Sequence, residues 1–217
     1  MRFLFAGGIT KTAGIKGISA AGTNPDVMVH TPSIDMEIVW YGKPVSTPVV
    51  PVSPSGCPTL AVITRAVRDL VPFETLVVNA GLTKQTAAPS LTLSGTPCGD
   101  IRANDPGVNA QEIVDEARSF GASLPDEEVI IGETIPGGTT IALGVLTALG
   151  EQVSVSSSLP ENPLTLKRDV VDRALAVNIM APGDAAGDPI RGSVGPEIPS
   201  SPQYEVSRSD CPRAEPT

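Results

Sequence analysis

The sequence predicts an α/β fold, a mostly parallel sheet with flanking helices that ends in an irregular C-terminal tail. Short apolar runs such as Leu76-Val77-Val78-Asn79 and Val129-Ile130-Ile131 alternate with longer stretches whose apolar residues recur at helical spacing. The runs exit into glycine turns, at Gly7-Gly8, Ala80-Gly81 and Gly132. The length of 217 residues, 41% of them hydrophobic, suffices for one such domain with its own core. Buried strands alternating with helices give a Rossmann-like, parallel arrangement.

In chain order, Arg2 to Ala6 reads as a buried strand, followed by the loop Gly7-Gly8-Ile9-Thr10-Lys11-Thr12. Thr31-Pro32 opens a helix running to about Trp40, with proline where a helix tolerates it. Pro44 to Pro58 holds five prolines and reads as an extended loop. Pro58 to Val71 is a helix, because Leu60, Ile63, Val67, Leu70 and Val71 fall on one stripe between Arg65, Arg68 and Asp69. Leu76 to Asn79 is a strand, and Leu91 to Leu93 a short one.

Asn109 followed by Glu112 has the spacing of a capping box. The helix it opens should turn Ile113, Val114, Ala117 and Phe120 inward. Strand 128–131 and helix 138–149 come next, and Leu166 to Ala176 is a last helix. Residues 1–176 are thus expected to form the α/β domain. Residues 177–217, rich in proline, glycine and serine, are expected to be an irregular or disordered tail.

The net charge of -9 argues against a broad basic face for nucleic acid or an anionic membrane. A local anion site on backbone amides is still allowed. Cys57, Cys98 and Cys211 are odd in number and far apart, with no CxxC or Cys/His pair, so no zinc site is expected. Three reduced thiols fit a cytoplasmic protein. The apolar run at Phe3-Leu4-Phe5 is too short for a signal peptide, and no stretch approaches a transmembrane span. His30 is the single histidine, which excludes a His-dependent triad elsewhere in the chain.

The stretch 129–150 orders a strand, the turn Gly132-Glu133-Thr134-Ile135-Pro136-Gly137-Gly138 and a helix. Such a turn aims unpaired N–H groups and the positive end of a helix dipole at one spot, where an anion fits. It is not a P-loop, since Thr139 follows Gly138 where a lysine would stand, and it lacks GxGxxG. Thr139 and Thr140 add hydroxyl donors. Glu133 would be repelled by a bound anion, so its task is either to hold ribose hydroxyls or a substrate N–H, or merely to cap or be solvated. Ser156-Ser157-Ser158 with Asn162 reads as a polar cap and loop. Lys11 could neutralise a phosphate or simply be solvated.

Four blocks carry a resemblance: Gly17 to Gly22, Pro51 to Thr59, Ile131 to Thr140 and Val155 to Pro163. Over about residues 2–175 the chain resembles the archaeal and cyanobacterial branch of the nicotinate-nucleotide–dimethylbenzimidazole phosphoribosyltransferases. The resemblance implies phosphoribosyl transfer from nicotinate mononucleotide to a benzimidazole-type base, giving nicotinate and α-ribazole phosphate for the lower ligand of cobalamin. It implies no cofactor and no metal, and it allows a homo-oligomer. Gly137, Gly138, Thr139 and Thr140 would hold the 5′-phosphate, and Glu133 would lie by the ribose or base. Ser157, Ser158, Asn162 and Lys11 are further substrate-binding candidates.

The resemblance fades after about Leu175, which predicts a chain truncated relative to the family. In the bacterial relatives the general-base glutamate lies in the later portion, so no general base is carried over, and Glu133 is the one catalytic candidate. The alternative is a non-catalytic nucleotide-binding remnant, or a subunit completed by another chain.

Overall fold

The computed structural model describes residues 1–20, 25–126 and 128–194. Its elements run β1 (Arg2–Gly7), a 3₁₀ turn (Lys11–Gly14), α1 (Pro25–Met28), α2 (Thr31–Tyr41), α3 (Ala61–Leu70), β2 (Glu74–Asn79), β3 (Ser90–Thr92), α4 (Ala110–Ser123), β4 (Val129–Thr134), α5 (Gly138–Ala148), α6 (Leu164–Val177) and α7 (Arg191–Val194). The four strands form one wholly parallel sheet in the order β3-β2-β1-β4. Phe5 pairs with Val77 on one side and Gly132 on the other, which fixes the register. Strand order reverses between β1 and β4, and in open α/β sheets ligands bind beyond the strand ends at such a reversal.

The loops after β1, β2 and β4 do open on one edge. Gly8 donates to Thr134 at 3.3 Å, Ile9 to Gly81 at 3.1 Å and Ala80 to Gly7 at 2.9 Å. Behind the β1 exit, Thr10 donates its hydroxyl to Gly99 and Thr12 accepts from the Ile101 N–H, tying residues 98–101 to the sheet.

Helix α2 is buried along Thr31 to Val39 and joins Phe5, Val77 and Leu82 in the main core. A helix buried all round must satisfy its own polar side chains. Glu37 does so by accepting N–H bonds from Val45 (2.6 Å), Ser46 (2.9 Å) and Ala87 (2.9 Å). Desolvation pushes its pKa up, but those donors together outweigh it and hold the carboxyl below its ordinary value. One side chain thus fastens the proline-rich loop and the β2–β3 connection to α2.

Helix α3 forms where its apolar stripe predicts, but the stripe faces solvent. Leu60 is 76% exposed, Ile63 61% and Leu70 82%. The arginines turn inward instead. Arg65 donates to the Trp40 carbonyl at 2.8 Å, Arg68 donates to that of Val39 at 2.9 Å, and Arg68 stacks over the Trp40 ring. Both satisfy carbonyls at the negative end of α2. Strand β4 is a sheet edge, with Ile131 74% exposed. Met1, Phe3, Val67, Val71, Phe73 and Ile130 line an apolar hollow between α3 and this edge.

Helix α4 departs from expectation. None of its residues is buried, Ala117 included, and Asn109 donates to the Ser94 carbonyl rather than capping. The Glu112 box does not form; Glu116 takes the Ser94 N–H and hydroxyl instead. Competition from residue 94 across the β3 exit explains the lost cap. The segment after Val177 runs as turns up to the short α7, and it packs. Ala185 is buried with Leu143, Ala148, Val171 and Leu175, and its N–H reaches the Ala148 carbonyl at 2.9 Å. The part of the expected tail from residue 195 onward lies outside the described residues. Among the described residues no helix is long and apolar enough to cross a membrane.

Two outcomes follow. Glu37→Gln should lose about 2 kcal/mol in urea denaturation at neutral pH, since an amide offers one acceptor where three N–H groups converge. Because the folded pKa lies below the unfolded one, the Glu37 contribution is complete above the unfolded carboxyl pKa and fades as pH falls through the folded value. The gap between wild type and variant should therefore narrow in acid; a pH-independent gap contradicts this role. Separately, the chain should self-associate or bind a hydrophobic dye through the α3–β4 face, and Val67→Glu with Ile131→Lys should suppress both in sedimentation and fluorescence. A wild-type chain that neither associates nor binds dye would refute it.

Candidate functional site

A cavity of about 720 Å³ lies beyond the β1 and β4 ends, within the size range of small-molecule sites. All four sequence blocks contribute to its wall: Ile18 to Ala20, Pro51 to Ser53 with Ser55 and Cys57 to Thr59, Gly132 to Thr139, and Ser156 to Ser158. They are far apart in the chain, and the reversal of strand order brings them together.

Gly137 is the residue that makes the turn. It sits at φ +80, and a Cβ there would come within 2.9 Å of the Ala13 nitrogen. It caps α5, so the helix begins at the cavity wall. Gly138 donates to the Ile135 carbonyl at 2.8 Å, while the N–H groups of Gly137 and Thr139 reach no backbone acceptor among the described residues. These are the orphan donors of a helix start.

Beside them stands Lys167, which the sequence reading passed over as one charge in an ordinary helix. It is fully buried, and its Nζ donates to Thr139 Oγ1 at 2.9 Å and to the Ser156 carbonyl at 2.7 Å. It forms no ion pair among the described residues. Burial lowers its pKa. An ammonium has three N–H donors, so one is left over. Helix α6 places it there: Leu164, Val171 and Ala174 share its inner face, and a lysine among them is the signal that could have marked it.

Glu133 is solvent-exposed but faces the cavity, and partial desolvation raises its pKa. Its Oε1 comes within 3.3 Å of where a Gly138 Cβ would stand, next to the helix start. Asp35 was also missed. It lines the cavity 5% exposed, accepts the Thr134 hydroxyl on Oδ2 at 2.6 Å, and has no partner on Oδ1. Burial lifts its pKa to about 6, against the Thr134 and Thr59 hydroxyls that pull it down.

The other expected residues divide. Ser157 and Ser158 line the wall; Ser157 accepts the Leu159 N–H and Ser158 that of Ala20. Thr140 does not: it is fully buried behind the turn, its hydroxyl unpartnered. Asn162 is spent on the Val155 carbonyl at 2.7 Å, and Lys11 is exposed on the 3₁₀ turn, neither in the cavity wall. The Asn79–Leu82 loop is closed on itself, with Asn79 Oδ1 taking the N–H groups of Gly81 and Leu82. A second cleft of about 1160 Å³ lies between β3 and α4, but Asp105, Glu112, Asp115 and Glu116 line it, which suits no anion. Among the described residues no cluster of His, Cys, Asp and Glu is grouped to hold a metal ion.

No protein-family profile matches the chain. A UPF0284 protein of Halobacterium salinarum is 56% identical over 188 residues, which are 87% of this chain and 56% of that protein. The chain resembles the UPF0284 proteins over most of its length. One from Archaeoglobus fulgidus is 39% identical over 200 residues, 87% of this chain and 58% of its own. The chain therefore spans little more than half the length of these curated relatives. Among solved structures, CobT of Thermus thermophilus superposes with a TM-score of 0.60 at 15% identity, over 89% of this chain and 54% of that one. A nicotinate-nucleotide-dimethylbenzimidazole phosphoribosyltransferase of the same organism gives 0.53 at 16%, over 89% and 53%. At that identity the likeness establishes a shared fold.

Gly137→Ala should destabilise the chain by about 1–3 kcal/mol, through left-handed strain and the clash with Ala13. Thermal unfolding checks it; an unchanged melting temperature would mean that the turn does not need glycine.

Proposed function

We propose that the cavity binds the 5′-phosphate of nicotinate mononucleotide at the α5 start, and that the chain serves phosphoribosyl transfer from that nucleotide to a benzimidazole-type base. The observation that carries this reading is Lys167. A buried ammonium with no carboxylate partner among the described residues, beside the orphan N–H groups of a helix start, is matched by an anion and by little else. The solved structures of like fold support the reading, because one of them is a nicotinate-nucleotide-dimethylbenzimidazole phosphoribosyltransferase.

In this arrangement Gly137, Gly138 and Thr139 hold the phosphate, Lys167 lends its charge from behind Thr139, and Ser157 and Ser158 border it. That clamp orients the sugar. Cleavage of the bond from C1′ to the pyridinium nitrogen builds positive charge on the ribose, as in glycoside hydrolysis. Glu133, beside the clamp, is positioned to stabilise that charge while ionised. The departing pyridinium nitrogen takes the bonding pair and leaves as neutral nicotinate ring, so no acid is required there.

A second reading has its own observation. The apolar α3 stripe and the free β4 edge are what a nucleotide-binding unit shows when further polypeptide completes it. In that case the chain binds nicotinate mononucleotide and does not turn it over alone.

Two measurements separate the readings. Calorimetry should give nicotinate mononucleotide binding that weakens about tenfold in Lys167→Met, which removes a positive charge held close behind Thr139 in a poorly screened interior. Gly138→Asp, which adds a negative charge at the helix start, should abolish it. Unchanged affinity in both variants refutes the phosphate site. With dimethylbenzimidazole added, α-ribazole phosphate should form; binding without product at high protein concentration leaves the second reading.

A further inference from the structure

We propose that the cleft between β3 and α4 docks an extended basic segment of a partner polypeptide. The segment adds to the sheet beside β3 and aims alternate lysine or arginine side chains at α4. This surface is separate from the nucleotide cavity, and the proposal does not depend on the function proposed above.

An unpaired strand edge is the first observation. β3 ends the sheet, and only β2 pairs with it. Leu93 donates to the Asn79 carbonyl at 3.0 Å, so the alternation of a strand turns the N–H and C=O of Thr92 the other way. Neither group meets a backbone partner among the described residues. Such an edge is a template on which a peptide adds as a further strand.

The second observation is a helix that stands off this edge. Helix α4 has 14 residues and buries none of them. It is tied to the β3 exit through Ser94, which meets both Glu116 and Asn109. The groove left between them measures about 1160 Å³. That exceeds the roughly 300–1,000 Å³ usual for a small ligand and gives room for a stretch of chain.

The lining selects the residue type. Leu91, Leu93 and Phe120 give the groove apolar surface, and the exposed Asp105, Glu112 and Asp115 give it negative charge. Lysine and arginine match both, since an apolar stem carries a cationic tip. Arginine also stacks on an aromatic ring such as Phe120. The spacing agrees as well. Glu112 and Glu116 stand one helical turn apart, about 6 Å along the axis. Side chains on one face of a strand recur about every 6.7 Å, so basic residues at alternate positions keep step with these acids. Asp105 and Glu112 form no ion pair among the described residues, which leaves their charges unmet. A second copy of the chain, with its net charge of -9, is repelled from the groove, and so is a nucleic acid.

The test titrates the isotope-labelled chain with an acetylated, amidated hexapeptide of alternating threonine and lysine, followed by amide NMR. Shifts should centre on Ser90 to Ser94 and on α4, with the Thr92 N–H among the largest. The same peptide with glutamate for lysine should bind at least about tenfold more weakly. Two further peptides are N-methylated at the threonine or at the lysine nitrogens, which keeps every charge. One set of nitrogens faces β3, so one of these peptides should bind about tenfold more weakly than the other, the worth of one or two backbone hydrogen bonds. Glu112→Lys, at an exposed position, should weaken the lysine peptide about fivefold or more. Spermidine, a cation with no backbone to pair, should leave the Thr92 amide unmoved. Equal binding of the glutamate peptide, equal binding of the two methylated peptides, unchanged affinity in Glu112→Lys, a Thr92 shift with spermidine, shifts centred on another surface, or no binding at all would each overturn the proposal.

Discussion

A buried ammonium with no carboxylate partner among the described residues is the constraint around which this molecule's cavity is arranged. Lys167 could have been neutralised cheaply by an aspartate on α5 or in the 154–158 segment. Instead its donors go to a hydroxyl and a carbonyl, neutral groups that orient the charge without cancelling it. Such a charge is tolerable only if its environment is otherwise polarised in its favour or if a mobile anion supplies the balance. The helix start beside it has the same sign and so makes the need greater. What stays open is the turn in front of it: Gly137 in its left-handed conformation, Gly138 without a side chain, and the strand reversal that leaves a crevice between β1 and β4.

The opposite flank follows a different logic. Helix α3 spends its charged face on the carbonyl end of α2 and turns its apolar face outward. With the apolar outer edge of β4 next to it, this is an apolar surface that the described residues leave uncovered. The relatives are nearly twice the length that this chain matches, so they have polypeptide to place somewhere. The cavity itself draws on residues from 3 to 158 and does not depend on that surface for its phosphate wall.

Much of this was legible in the sequence. Strands β1, β2 and β4 announced themselves as short apolar runs leading into glycine turns, α3 as a periodic stretch, and α5 and α6 as helical stretches after them. The turn before α5 was readable as an anion site because strand, glycines and helix follow one another within a few residues. What stayed hidden was non-local. Asp35 and Lys167 lie inside helices, and nothing in the neighbouring residues says that one faces a cavity and the other is sealed behind it. Periodicity found the α3 stripe but could not say which side the body would take, since Arg65 and Arg68 found carbonyls to bind. Asn109 and Glu112 had the spacing of a cap, yet Ser94, distant in sequence, claimed Asn109 and Glu116 took the N–H and hydroxyl of Ser94. Thr140 was one residue too far along the helix: a further 100° or so of rotation turns its hydroxyl from the cavity to the core.

The most direct test of the central claim is an amide and lysine-ammonium NMR map of the labelled chain as nicotinate mononucleotide is added. The account predicts the largest shifts at the Gly137 and Thr139 N–H groups and at Lys167 Nζ, with saturation in step with ligand phosphorus. Shifts centred on the β3–α4 cleft, or none at the α5 start, would contradict it.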